Sequence, residues 1–244
     1  MDQQPNTQVP APKPRRTFRN LMLRREKVAG WIWMPIHVVL LPLLLPSIVY
    51  ALTGGNLPDT VTMNIWYYML GLVFLLVTQF RFFRDSYSEL THNFRDALIT
   101  MLMSWFILMA CNVALNLITQ LFGSLPTSPN DEAVTEMAHV DMRRMVAVAV
   151  ILAPIVEEAL FRGMIFGSLR EKHRVPAYAV SMVLFALYHV WQYAVVAQSF
   201  EPLLSAFAYL PIAFVLAFCY DRSGSIWTSI FFHMFYNALA LSMR

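Results

Sequence analysis

The stretch Ala153–Gly163, A-P-I-V-E-E-A-L-F-R-G, decides how the rest of the chain is read. It lies inside a long apolar run, about Met145–Leu169, and puts Glu157, Glu158 and Arg162 where hydrocarbon is expected. One charge at membrane depth costs at least ~2.5–3.5 kcal/mol on insertion scales, so three within six residues require a function or a partner. No other acidic residue of the chain falls within an expected span.

The surrounding composition agrees with a bilayer. Of 244 residues, 58% are hydrophobic and 14% charged, against about 25% charged in a soluble domain. The expected fold is all-α, a polytopic membrane helix bundle of one domain. Seven apolar runs reach the roughly 20 residues a spanning helix needs: about 28–52 (kinked by Pro35, Pro42 and Pro46), 61–80, 97–121, 145–169, 177–196, 203–219 and 226–243. Putting the N-terminus in the cytoplasm leaves 14 of the 18 Lys and Arg residues on segments 1–27, 81–96, 170–176 and 220–225, as the positive-inside bias requires. Residues 1–27 read as a disordered basic cytoplasmic tail without a cleavable signal. Residues 28–143 read as N-terminal spans plus an outer amphipathic segment, and 144–244 as the catalytic core. Within the outer connection, Ser128-Pro129 and then Val134, Met137 and Val140 predict a capped helix on the membrane surface, placed where it could gate entry. Cys111 and Cys219 lie in spans without a CxxC pairing and read as packing residues. The basic tail flanks a span, so it meets the lipid bilayer and not nucleic acid.

Three patterns carry the chemistry. Glu158 and Arg162 are four residues apart and share a helix face, so they can pair and lower the burial cost. Glu157 lies about 100° further round the helix, away from that partner, and is the freer carboxylate and the candidate general base. Pro154 removes a helical hydrogen bond just upstream. Phe185-x-x-x-His189 and His233-x-x-x-Asn237 follow in later spans. Polar residues within spans face the bundle interior, so Glu157, Glu158, Arg162, His189, His233 and Asn237 converge on one wet cavity. His37, alone in the first span, reads as a structural hydrogen-bonder. A carboxylate, two imidazoles and an amide suit water activation: the glutamate takes a proton, the histidines position the water or hold a metal, and Asn237 donates to an oxyanion. Zn²⁺ on His189, His233 and Glu157 stays open, since no HExxH or Cys/His zinc spacing is present. No G-x-S-x-G occurs.

Glu157-Glu158-Ala-Leu-Phe-Arg162-Gly163, Phe185-Ala-Leu-Tyr-His189 and His233-Met-Phe-Tyr-Asn237, with the lead-in Gly224-Ser-Ile-Trp227, together resemble the CPBP (Abi) family of CAAX-protease and bacteriocin-processing intramembrane endopeptidases. The resemblance covers about 144–241. It implies a helical bundle around a membrane cavity, peptide hydrolysis with Glu157 as base and His189, His233 and Asn237 as partners, and either a metal or glutamate and water alone. It implies a peptide or membrane-anchored protein substrate, in bacteriocin or peptide processing, self-immunity or CAAX-like processing. The compact layout is read as bacterial, a multi-pass protein of the plasma membrane for which a prenylated substrate is not expected. Oligomeric state is not encoded in these motifs. Two rivals are an immunity or scaffold protein that keeps the motif without cutting, and a proton-coupled transporter. The paired halves and broken helices many transporters show are not seen as a repeat here.

Overall fold

The computed structural model describes residues 18–243, and these form a bundle of helices with no strand among them. Helix α1 runs Arg24–Leu52, α2 Thr60–Thr78, α3 Phe80–His92, α4 Phe94–Phe122 and α5 Pro129–Val140. Helix α6 is continuous over 142–170, α7 is Arg174–Tyr188, α8 Trp191–Ala197, α9 Glu201–Ser223 and α10 Ile226–Ser242. By length and apolarity α1, α2, α4 and α9 can each cross a membrane, and α7 with α8, bent by 45° where they meet, makes a fifth if the pair is one broken span and not a re-entrant loop. The other two expected spans exist as helices: α6 carries the three charges, and α10 has 17 residues.

α6 is the axis of the bundle. Every residue from Val156 to Gly167 is buried, the pattern of a helix wrapped on all sides. α1, α2, α7, α9 and α10 all pack on it. The buried cluster around it draws on Met22, Leu75, Phe82 and Leu108 as well as on the C-terminal helices. Close approach on two faces depends on glycine. A Cβ on Gly163 would sit 3.0 Å from the Phe82 ring, and one on Gly71 of α2 would sit 2.9 Å from both His37 and Val156.

The helix is not regular. It widens to π turns at Ala147–Leu152 and Ala159–Phe166, which often mark functional sites. Side chains from other elements take up carbonyls along these turns. Ser181 donates to Phe161 O at 3.0 Å, Asn20 to Gly163 O at 3.0 Å and Asn237 to Ala149 O at 2.8 Å. Buried backbone groups in lipid must be satisfied internally, and here neighbours satisfy them.

Two expectations are corrected and a third is refined. Residues 1–17 lie outside the described residues, but 18–27 are ordered. Phe18 packs edge-on against Tyr220 at 5.1 Å, Met22 is buried, and α1 begins at Arg24. The segment 81–96, expected only as a cytoplasmic connection between spans, is mostly helix α3. Its Phe82, Phe83, Ser86 and Leu90 face inward, and Ser86 Oγ caps α10 by accepting from the Ile226 amide at 2.8 Å. The run 177–196 is broken at His189–Val190. The capped helix of the outer connection is present as α5, with Ser128 Oγ accepting from the Asp131 amide.

Candidate active site

All six expected site residues meet around the middle of α6. Glu157 and Glu158 come from α6, Arg162 follows one turn on, His189 ends α7, and His233 and Asn237 come from α10. Glu157, His189, His233 and Asn237 line one cavity of about 200 Å³, roofed by Asn130 and Asp131 of α5.

The two glutamates have divided roles. Glu158 is fully buried and saturated with partners. Its Oε1 accepts from Arg162 Nη1 at 3.1 Å and from His233 Nδ1 at 3.0 Å, and its Oε2 accepts from the Ser229 hydroxyl. Arg162 is equally buried. It donates from Nη2 to Ala213 O at 3.1 Å and lies 4.0 Å over the Phe185 ring, so the charge is met by an anion, a carbonyl and a π face. Glu157 shares no hydrogen bond with this network among the described residues. Its Oε1 accepts from the Tyr68 hydroxyl at 2.8 Å, and its Oε2 faces His189 Nε2 and His233 Nε2, each at 3.9 Å. The freer carboxylate therefore points into the cavity.

The imidazoles are oriented from behind. His189 Nδ1 donates to Phe185 O at 2.8 Å, and its ring stacks on Tyr209 at 4.6 Å. Tyr209 Oη is in turn held by Asn130 Nδ2 at 3.2 Å and lies 2.5 Å from Ser128 Oγ, which ties α5 to the site. A carbonyl only accepts, so the hydrogen of His189 is on Nδ1; the carboxylate of Glu158 fixes the same tautomer in His233. In the neutral form each ring presents its Nε2 lone pair to the cavity.

Asn237 is held by a proline. In the π turn Ala147–Leu152 the Ala153 amide bonds back to Val148 O. The next donor in register, at position 154, is missing because Pro154 has no N–H. Ala149 O is thereby left to Asn237 Nδ2. One N–H of the Asn237 amide holds this carbonyl, and the second is available to the cavity.

The donor set Glu157, His189 and His233 has the chemistry of a zinc site but not the spacing. Two ligands at ~2.0–2.1 Å from a tetrahedral ion lie about 3.4 Å apart, and here both separations are 3.9 Å. Among the described residues no three His, Cys, Asp and Glu side chains are grouped closely enough to hold a metal ion.

Sequence reasoning did not single out Tyr68, Tyr188, Tyr209 or Ser229. Tyrosine in an apolar span reads as packing, and only its partner across the bundle reveals a hydroxyl in use. The expectation for His37 is also corrected. Its ring nitrogens have no hydrogen-bond partner among the described residues, and the ring stacks on Tyr67 at 4.2 Å. It is the His37 carbonyl that is bonded, by Tyr67 Oη at 3.0 Å.

The comparisons with known proteins bear on this same segment. Residues 141–239 match the Rce1-like family. Its description is type II CAAX prenyl endopeptidase Rce1-like, and the match takes in all three motifs. Over 125 residues the chain is 31% identical to a protein of Bacillus subtilis (strain 168) named "Putative membrane peptidase YdiL". That match covers 51% of this chain and 46% of the relative, so the chain spans about half the length of the curated relative it matches. No solved structure matches. The resemblance carried by the three motifs to the CAAX-protease family stands.

Proposed function

We propose that this chain is an intramembrane endopeptidase in which Glu157 activates water against a peptide bond. The supporting observation is the separation of the two glutamates: Glu158 is consumed by Arg162, His233 and Ser229, while Glu157 Oε2 faces two imidazole Nε2 atoms across an open cavity. A water there gives one hydrogen to Glu157 Oε2 and one to an Nε2 lone pair, which points its oxygen lone pair at a bound carbonyl. Glu157 takes the proton as the oxygen attacks, and the free Asn237 N–H donates to the carbonyl oxygen as charge develops on it. The proton held by Glu157 then passes to the leaving nitrogen while the other water hydrogen stays on the attacking oxygen, and the products are a carboxylic acid and an amine. Glu158 and Arg162 act through His233, whose ring they fix. No step is routed through a metal, because the donors do not close on one. The substrate is a peptide or membrane-tethered protein reaching the cavity beneath α5, and the location is the plasma membrane of a bacterium.

The test is cleavage of a quenched fluorogenic peptide pool, prenylated CAAX peptides included, by the purified chain in lipid vesicles. Wild type is expected to cut, Glu157→Gln to lose activity on the order of 10³-fold or more while folding normally, and a chelator to leave the wild-type rate unchanged. Full activity in Glu157→Gln ends the base assignment. Chelator-sensitive cleavage restores Zn²⁺ on Glu157, His189 and His233. A wild type that cuts no member of the pool, with a Glu157→Ala strain that keeps full immunity in cells, favours the scaffold reading.

A further inference from the structure

Glu157 is aimed by something outside the three motifs. Its only hydrogen-bond donor among the described residues is Tyr68 of α2, and behind Tyr68 stands a short line of phenols. Tyr188 Oη lies 3.3 Å from Tyr68 Oη and 3.0 Å from Tyr67 Oη, and Tyr67 Oη lies 3.0 Å from His37 O. The directions follow from counting hydrogens. A carbonyl only accepts, so Tyr67 spends its one hydrogen on His37 O. Tyr68 spends its hydrogen on the Glu157 carboxylate. Tyr188 then has one hydrogen for two oxygens and shares it between Tyr67 and Tyr68, so that it holds both. The line therefore donates at both ends, into a backbone carbonyl of α1 and into the reactive carboxylate.

The far end is fixed by a proline. α1 makes a π turn at Ile36–Leu40, in which the Leu41 amide bonds back to Ile36 O. His37 O would take the next donor, at position 42, but Pro42 has no N–H. This orphan carbonyl, buried in the bundle, must find a donor elsewhere, and Tyr67 supplies it. The arrangement repeats that of Pro154, Ala149 O and Asn237 on α6. In each case a proline after a π turn frees a carbonyl, and a polar side chain leading to the site takes it.

We propose that Tyr68 is a positioning residue for Glu157, held by Tyr188 and Tyr67 against the carbonyl that Pro42 leaves free. With Oε1 fixed by Tyr68, Oε2 is the oxygen that faces His189 and His233. Without it, the carboxylate can rotate away from the two Nε2 atoms at no loss of a protein partner. The proposal rests on Glu157 being the base.

The experiment uses the full chain in vesicles and the fluorogenic peptide that wild type cuts fastest, with Tyr68→Phe, Tyr188→Phe, the double variant and Glu157→Gln measured side by side. A hydrogen bond to a charged group, when lost, corresponds to roughly a 10- to 100-fold fall in kcat. Tyr68→Phe is expected to show this fall with KM within about 2-fold. Tyr188→Phe is expected to fall less, and the double variant no further than Tyr68→Phe alone, because Tyr188 acts through Tyr68. Full kcat in Tyr68→Phe, a change confined to KM, or additive losses in the double variant each overturn the proposal while Glu157→Gln stays inactive. An active Glu157→Gln overturns the base assignment instead, and the positioning role falls with it. Should Tyr68→Phe fail to fold, Tyr188→Phe with unchanged kcat overturns the line of phenols.

Discussion

Helices α4 and α6 each run 29 residues and are built mainly of apolar side chains, yet they do opposite work. α4 buries only Ala97, Thr100, Ser104 and Leu108, a stripe at spacings of three and four that lies on α9. Leu102, Phe106, Val113 and Leu117 point away from the bundle and are exposed. α6 has no outward face along its middle. Hydrophobicity does not distinguish an inner from an outer helix in lipid, because the tails are as apolar as the side chains. What sets α6 apart is the charged triad, and a charge at that depth needs protein on every side. The surrounding helices reach it through glycines, and its π turns expose carbonyls that those helices bond. α4 is regular, and among the described residues its one polar tie to the core is Ser104 Oγ at 3.0 Å from Cys219 Sγ.

The contrast is broken most directly at Arg162. Removing it leaves Glu158 buried against one imidazole and one hydroxyl, and stranding a buried charge costs about 3–5 kcal/mol. Arg162→Ala should therefore unfold far more easily in a lipid-based unfolding assay, and should lose peptide cleavage along with stability. Leu102→Ala, on the exposed face of α4, should stay within about 0.5 kcal/mol of wild type. Similar losses in both variants would mean that α6 is no more specialised than its neighbour. Arg162→Lys sharpens the point, since lysine keeps the charge but cannot serve Glu158 and Ala213 O with one planar fork. It should fall between the two.

A smaller effect is expected from packing alone. Gly163→Ala places a methyl 3.0 Å from the Phe82 ring and 3.2 Å from Met22 Cε. Overpacking of this kind costs about 1–3 kcal/mol, and the better helix propensity of alanine returns about 1. The net loss should be roughly 0–2 kcal/mol, toward the upper end because Met22 can move aside and the Phe82 ring cannot. Ala110→Leu on the exposed side of α4 adds more volume and should change stability by less than about 0.5 kcal/mol. Unfolding of the pair under one set of lipid conditions decides it. A stabilised Gly163→Ala would show that the approach of α3 to α6 is loose.

The division between the two helices was partly legible beforehand. Charge within an apolar run is visible in one dimension, so Glu157, Glu158 and Arg162 stood out, and four-residue spacing gave the Glu158–Arg162 pair. The convergence of His189, His233 and Asn237 followed from the rule that polar groups face inward. Pro154 signalled an opened backbone, and the carbonyl it opens is the one Asn237 takes. What could not be read depends on register between helices. Nothing in one dimension says that His233 Nδ1 goes to Glu158 while its Nε2 faces Glu157, or that Tyr68 reaches Glu157. The helix α3 was hidden because its apolar face, Phe82, Phe83 and Leu90, is interleaved with arginines and stands out in the sequence only as a basic segment between spans. The break at His189 was hidden because Val190 and the residues after it stay apolar through the bend.

The smallest effect separates the buried middle of α6 from its exposed start. There Arg144 reaches Asp59 Oδ2 at 3.1 Å and Thr62 Oγ1 at 2.7 Å, joining α6 to the cap of α2. The Thr62 amide, the Thr62 hydroxyl and then Arg144 hold the Asp59 carboxyl down at about 2. A carboxyl lowered on folding contributes stability that is fully present above its unfolded value near 4 and is lost as pH falls toward 2. Both side chains are open to solvent, where ion pairs are screened and weak. An unfolding series from pH 6 to pH 2 should therefore show only a slight Asp59-dependent decline, confined to the interval below pH 4 and reduced by salt. Asp59→Asn should flatten that decline and leave peptide cleavage at neutral pH unchanged. If Asp59→Asn instead matched Arg162→Ala in severity, the two ends of the contrast would collapse, because an exposed tie at the rim of α6 would then matter as much as the charges sealed at its centre.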